Sequence, residues 1–126
     1  MEISVKTTQK REMIDITDQI ARHVSQKNGV LHMFVRHTTA AISTADMDPG
    51  GTDLDYLDAF DKIIPRLEYR HPHDPAHMPD HILATIIGPS LSVPVVDGKL
   101  QLGTWQRLVL IECDGPRERS VVITES

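Results

Sequence analysis

The chain has 126 residues, 40% of them hydrophobic and 25% charged, with a formal net charge of -5 and a pI near 5.7. That length supports one domain, residues 1–126, with a core of its own, and no stretch approaches the roughly 20 apolar residues of a membrane span. An acidic chain lacks the basic footprint of a general nucleic-acid binder and leaves room only for a local pocket that takes a small anion.

Ile3 and Val5 alternate with polar residues, and Met13-Ile14-Asp15-Ile16 does so more loosely. The two runs predict a hairpin across Thr7 to Lys10. Thr17 reads as an N-cap, Ile20 and Val24 share a helical face, and Asn28-Gly29 closes that helix. Val30 to Arg36 is a β-rich run leading into His37, with Ala40 to Thr44 as its partner strand. Asp48-Pro49-Gly50-Gly51 turns the chain. Thr52 then caps a second helix, whose positive end suits Asp53 and Asp55 and whose apolar positions are Leu54, Leu57, Phe60 and Ile64. Pro65 ends it. Pro79 fits the first turn of a third helix, through Ile82, Leu83, Ile86 and Ile87 to Gly88.

The remainder is β. Leu91, Val93 and Val95 alternate, and Pro94 marks an edge or a bulge. Asp97-Gly98 is a tight-hairpin signal, and Leu100 and Leu102 return from it. Trp105 to Cys113 is the longest apolar strand, with Trp105 expected in the core. Ser120 to Thr124 closes the chain after the Asp114-Gly115-Pro116 turn. This order predicts an α+β fold, a largely antiparallel or mixed sheet with helices on one face. The last long strand is apolar on both sides, which predicts a contact with another subunit. Cys113, the only cysteine, has no internal partner and ends that strand, so it reads as a structural thiol. Together with an N-terminus lacking a signal-peptide core, it points to a reducing cytoplasm.

Chemistry concentrates in one loop. Four of the seven histidines, His71, His73, His77 and His81, fall within eleven residues that also hold three prolines. Such a stretch is not one regular element. Imidazoles held on a stiff loop suit metal binding or proton transfer, and solvated surface histidines are the plainer reading. His81 falls at the start of the third helix; His77 precedes it by four, but Pro79 intervenes, so the pair is not a helical metal motif. His37-Thr38-Thr39 ends a strand, where the imidazole is a ligand, a base or a buried hydrogen-bonded ring, and the hydroxyls suit an anion. Ser90 and Ser92 share one side of a strand, as do Thr104 and Gln106.

Taken together, His37-Thr38-Thr39-Ala40-Ala41-Ile42, Asp48-Pro49, Tyr69-Arg70-His71, Met78-Pro79-Asp80-His81-Ile82, the Gly88 to Val95 segment and Gly98 to Gln106 resemble the YjbQ-like family, sometimes called secondary thiamine-phosphate synthases. The match runs from about residue 30 to 113. It departs at Thr44-Ala45-Asp46, where the family often carries an Asn-Glu pair. The resemblance implies a homotrimer with a histidine-lined pocket near subunit contacts. Carried over by position, His37, His71 and His81 are its catalytic and metal-binding residues and Glu112 its acidic partner. Thr38, Thr39, Arg70, Ser90, Thr104 and Gln106 line the phosphate site. His73 and His77 have no match in the family's pattern and are left as surface residues.

The implied activity is weak coupling of a pyrimidine diphosphate to a thiazole phosphate with release of pyrophosphate. Arg36, Arg70 and Arg107 are the candidate cations for that leaving group. The cofactor expected is a divalent metal, either zinc-like at the three histidines or Mg²⁺ travelling with the pyrophosphate. The alternative is a non-catalytic trimer that binds a metal or a phosphorylated ligand. The expected partners are further copies of the chain and a small phosphorylated metabolite, with no nucleic acid and no membrane.

Overall fold

The computed structural model describes residues 1–126. Two antiparallel sheets lie face to face. The strands are β1 (Glu2–Lys6), β2 (Glu12–Asp15), β3 (Gly29–Val35), β4 (Ala40–Ala45), β5 (Ser90–Val96), β6 (Lys99–Leu100), β7 (Arg107–Glu112) and β8 (Glu118–Glu125). The larger sheet runs β1-β8-β3-β5-β6 and the smaller β2-β7-β4. Helix α1 (Thr17–Ala21) follows β2 and buries Ile20 in the core, and α2 (Thr52–Ile63) and α3 (Met78–Ile87) follow β4.

The inner faces build one core from alternate residues: Ile3 and Val5 on β1, Leu31, Met33 and Val35 on β3, Leu108 and Leu110 on β7, and Val121 and Ile123 on β8. A second cluster lies behind the small sheet, where Met13, Ala41, Val109, Ile111 and Cys113 meet Leu83 and Ala84 of α3 and Ile64 after α2. The expected α+β architecture with helices on one face is what forms. No helix is long and apolar enough to cross a membrane.

Four expectations change. The first two strands are not a hairpin, because β1 pairs with β8 and β2 with β7, in different sheets. Thr7 holds the crossing, its N–H donating to the Arg117 carbonyl (2.8 Å). Likewise β4 pairs with β7 rather than β3. Helix α1 stops at Ala21, since the Ser25 and Gln26 N–H groups donate to the Glu125 carboxylate and leave the helical ladder. The long strand starts only at Arg107. Gly103 to Gln106 is a turn closed by the Gln106 side chain on the Gly103 N–H (2.8 Å), and Trp105 on it is 71% exposed. Both faces of β7 are apolar because this chain covers both, one with the large sheet and one with helices. That pattern therefore carries no argument for a subunit contact. Asp97 (φ 52°) and Gly98 (φ 75°) form the β5–β6 turn as read.

Candidate functional site

The inward phase of four strands continues past the apolar core into polar residues. Ile3 and Val5 lead to Thr7; Leu31, Met33 and Val35 to His37; Leu108 and Leu110 to Glu112. On β8, Arg119 precedes Val121 and Ile123 in the same phase. One end of the sandwich is thus closed by a layer of Thr7, His37, Glu112 and Arg119. Buried charges need partners and hydrogen bonds there, and they have them.

Glu112 is 0% exposed and Arg119 3%. The Arg119 Nε donates to Glu112 Oε2 (2.8 Å) and its Nη2 to Oε1, a two-pronged pair. Thr7 Oγ1 donates to Oε2 (2.8 Å) and the Asp114 N–H to Oε1 (3.0 Å). Arg119 Nη2 also donates to the Thr39 carbonyl (3.1 Å) and hydroxyl (2.9 Å). Burial raises the Glu112 carboxyl, but the hydrogen bonds from Arg119, the Asp114 N–H and Thr7 outweigh it and hold the group below its ordinary range. Glu112 is consequently no catalytic base, contrary to expectation, because its oxygens are all engaged. Its task is to fix Arg119, whose Nη1 has no partner in the chain and is the donor left for a ligand. Gly115 lets the turn after β7 pass this network; a Cβ there would strike the Gln9 carbonyl and Glu112.

Above this layer opens a cavity of about 400 Å³ with no hydrophobic residue in its walls. The β3–β4 crossing supplies Arg36, His37, Thr38 and Thr39; the turn between β7 and β8 and the start of β8 supply Asp114, Arg117 and Arg119; the histidine loop and α3 supply His77 and His81. The Ser120 N–H donates to His37 Nε2 (2.8 Å), which puts the ring hydrogen on Nδ1. Burial and the neighbouring Arg119 hold this imidazole below its usual range, so it stays neutral and donates from Nδ1. His81 makes no hydrogen bond within the chain and stacks on His71 (centroids 5.2 Å apart, planes 18° apart). Asp114 anchors the rim, accepting from Lys10 Nζ (2.6 Å) and Arg117 Nη2 (3.2 Å).

The structure therefore brings His37, Thr38, Thr39 and His81 into one cavity and sets His71 behind His81. Arg70 is exposed on the loop before it. Ser90 is exposed opposite Phe34 on the large sheet, and Thr104 and Gln106 sit on their own exposed turn, so none of the three lines the cavity. Arg107 pairs with Asp15 (2.6 Å) instead of facing a ligand. Within the single chain, no three His, Cys, Asp or Glu side chains are grouped so as to hold a metal ion. His37 Nε2 is spent on the Ser120 N–H, and the His71 and His81 rings are stacked on each other. Arg117, Arg119 and His77 were missed. For Arg119 the signal was present, a cation in the phase of Val121 and Ile123. Arg117 and His77 lie in irregular segments, where no periodicity gives a direction.

The family model described as "UPF0047 protein YjbQ-like" matches residues 1–126. A UPF0047 protein of Archaeoglobus fulgidus is 40% identical over 124 residues, covering 98% of each chain. The UPF0047 protein YugU of Bacillus subtilis is 32% identical, covering 96% of this chain and 94% of its own. Among solved structures, a yjbq/upf0047 family protein of Clostridium acetobutylicum superposes with a TM-score of 0.89 at 36% identity, covering 100% of this chain and 99% of that one. A protein of unknown function from Sulfolobus solfataricus, described as YbjQ-like, gives 0.91 at 35% identity, covering 99% and 94%.

Proposed function

The chain belongs to the YjbQ-like family of UPF0047 proteins, and on that premise we propose that the cavity around His37 binds the phosphate or diphosphate end of a small metabolite and acts on it as an enzyme. The observation that carries this reading is the wall composition: three arginines, three histidines, two threonines and one aspartate, with no apolar residue. A phosphate oxygen needs donors that are already aimed, since prepaid orientation is where electrostatic stabilisation comes from. Arg119 Nη1, fixed by Glu112 and Thr39, and the His37 Nδ1–H are such donors. The chain is acidic overall, so the attraction is local.

The reaction proposed is the one the resemblance implies. The carbon–oxygen bond of a pyrimidine diphosphate breaks, its electron pair leaves on pyrophosphate, and the thiazole nitrogen forms the new carbon–nitrogen bond. We assign Mg²⁺ to the diphosphate and not to the protein, because the cavity's one carboxylate, Asp114, is already shared by Lys10 and Arg117. Calorimetric titration with inorganic pyrophosphate is expected to show saturable binding, and incubation with both halves to yield thiamine phosphate slowly. A protein that binds no pyrophosphate would overturn the reading; binding without turnover selects the alternative, a ligand-binding protein without catalysis.

The assembly proposed is a homotrimer in a reducing cytoplasm. The number three comes from the family resemblance. Support for buried surface beyond one chain comes from Trp105, Phe34 and Val96, all exposed, the last two on the uncovered face of the large sheet. The Cys113 thiol is buried and pushed up to about 12 by that burial, so it stays a packed, unreactive group. Light scattering at micromolar concentration is expected to give about three times the 14.1 kDa chain mass, and a stable monomer would dismiss the trimer.

A further inference from the structure

His77 stands in the cavity wall, and nothing in the family resemblance assigns it a task. It sits at the end of a 3₁₀ turn, Pro75–His77, that is itself fastened by Asp74. The Asp74 Oδ1 accepts from the Ala76 N–H (2.9 Å), and the Asp74 carbonyl accepts from the His77 N–H (3.0 Å). With its carboxylate so held, Asp74 places Oδ2 3.2 Å from His77 Nε2. The other ring nitrogen, Nδ1, has Asp114 Oδ2 as its nearest acid at 3.7 Å, beyond hydrogen-bond reach. That oxygen already receives Arg117. One nitrogen thus lies within ion-pair range of a carboxylate and the other has no partner within hydrogen-bond reach, in a ring that lines the cavity.

We propose that His77 is the proton-carrying ligand of the anion in this cavity: with the Asp74 carboxylate 3.2 Å from Nε2 as its counter-charge, it donates a hydrogen bond, and then its proton, from Nδ1 to a phosphate oxygen. The step balances as a single proton transfer, leaving a neutral imidazole and a protonated phosphate. The inference rests on the reading that the cavity binds phosphate. The charges around the ring favour this role over the other histidines. Asp74 and Asp114 face it, whereas His37 faces Arg119 and is held neutral. Lys10 and Arg117 both pair with Asp114 and offset its charge. Arg36 and His81, also in the walls, complete the titratable and charged groups nearby.

An arriving phosphate favours the charged imidazole, so anion binding and proton uptake are linked. The test is calorimetric titration of the full chain with inorganic pyrophosphate at pH 7.5, repeated in two buffers of different ionisation enthalpy, which counts protons taken up per anion bound. His77→Gln keeps a polar side chain at this half-exposed position and leaves the core untouched. It is expected to cut the uptake by a substantial fraction of a proton and the affinity about tenfold, roughly one charge-assisted hydrogen bond. Asp74→Asn, which leaves the ring but removes that counter-charge, is expected to fall between wild type and His77→Gln. Equal uptake in wild type and His77→Gln would overturn the assignment while the cavity reading stands. A wild-type protein that binds no pyrophosphate would overturn the cavity reading and this inference with it.

Discussion

Glu112→Ala is expected to lower the unfolding free energy by about 3–5 kcal/mol, because it leaves the Arg119 guanidinium buried without its counter-charge. The loss has a stated structural basis. Glu112 receives four protein donors, Arg119 Nε and Nη2, the Thr7 hydroxyl and the Asp114 N–H; without it Nε and the Asp114 N–H lose their acceptor, while Nη2 keeps Thr39 and the Thr7 hydroxyl keeps the Arg117 carbonyl. In a domain of this size a loss of that order corresponds to a fall of about 10–20 °C in Tm, read by thermal unfolding of the variant against wild type. Replacing both partners, Glu112→Met with Arg119→Met, is expected to restore most of the stability, since an apolar pair of similar volume carries no desolvation penalty. The double variant should nevertheless fail to bind pyrophosphate, because the aimed Nη1 donor is gone. A double variant as unstable as the single one would mean that the pair is not what holds this end of the sandwich closed.

The same network sets an acid limit. Glu112, Asp114 and Asp15 are all held below their ordinary carboxyl values, each against the upward pull of burial, by hydrogen bonds from Arg119, Lys10 and Arg107 respectively. A carboxyl depressed in the folded state contributes stability that is fully present above its unfolded value. That contribution is lost as pH falls through the folded value. Stability is therefore expected to hold from neutrality down to the ordinary carboxylate range and to decline below it, with a shallower decline in Glu112→Gln. Denaturant unfolding at a series of acidic pH values measures both slopes.

Much of this arrangement was legible in the sequence, and the parts that were not share a cause. Period-two alternation placed the strands, and Asp97-Gly98 and Gly88 marked their turns, because backbone sterics act locally. Pairing partners were not legible: β1 with β8 and β3 with β8 join residues about 90 to 120 positions apart, and nothing near Ile3 or Val30 encodes that. The expected hairpin failed for this reason. The site divides along the same line. His37, Glu112 and Arg119 extend an inward phase, so their depth follows from periodicity, and the deep ion pair follows from the presence of both charges in that phase. His71, His77 and His81 lie on an irregular loop and the helix after it, and where their rings point depends on Asp74, Asp114 and one another. Ser90, Thr104 and Gln106 were read as strand residues by alternation and assigned to the site by the resemblance; the Gly103 turn that Gln106 closes takes two of them off the strand.

For the reaction proposed above, thiamine-phosphate formation, His81→Ala is expected to reduce kcat by about 10²- to 10⁴-fold, the contribution of a positioned acid–base group. Three histidines line the cavity, and two have a ring nitrogen already claimed: His37 Nε2 by the Ser120 N–H and His77 Nε2 by Asp74. His37 can offer only its Nδ1 hydrogen, so His37→Ala is expected to act mainly on binding and to raise KM. His81 alone keeps both nitrogens unclaimed within the chain, and its stacking on His71 limits the ring without consuming a lone pair. It is therefore able to accept a proton or hydrogen bond from a reacting ligand at either nitrogen. The side chain lies on the partly exposed face of α3, so its removal is expected to leave stability within about 0.5 kcal/mol of wild type. Steady-state kinetics of both variants, with pyrophosphate affinity measured alongside, separates the roles: a fall confined to kcat in His81→Ala and a rise in KM in His37→Ala. An unchanged kcat in His81→Ala, with the protein folded and pyrophosphate still bound, would remove His81 from the chemistry and leave the cavity a binding site alone.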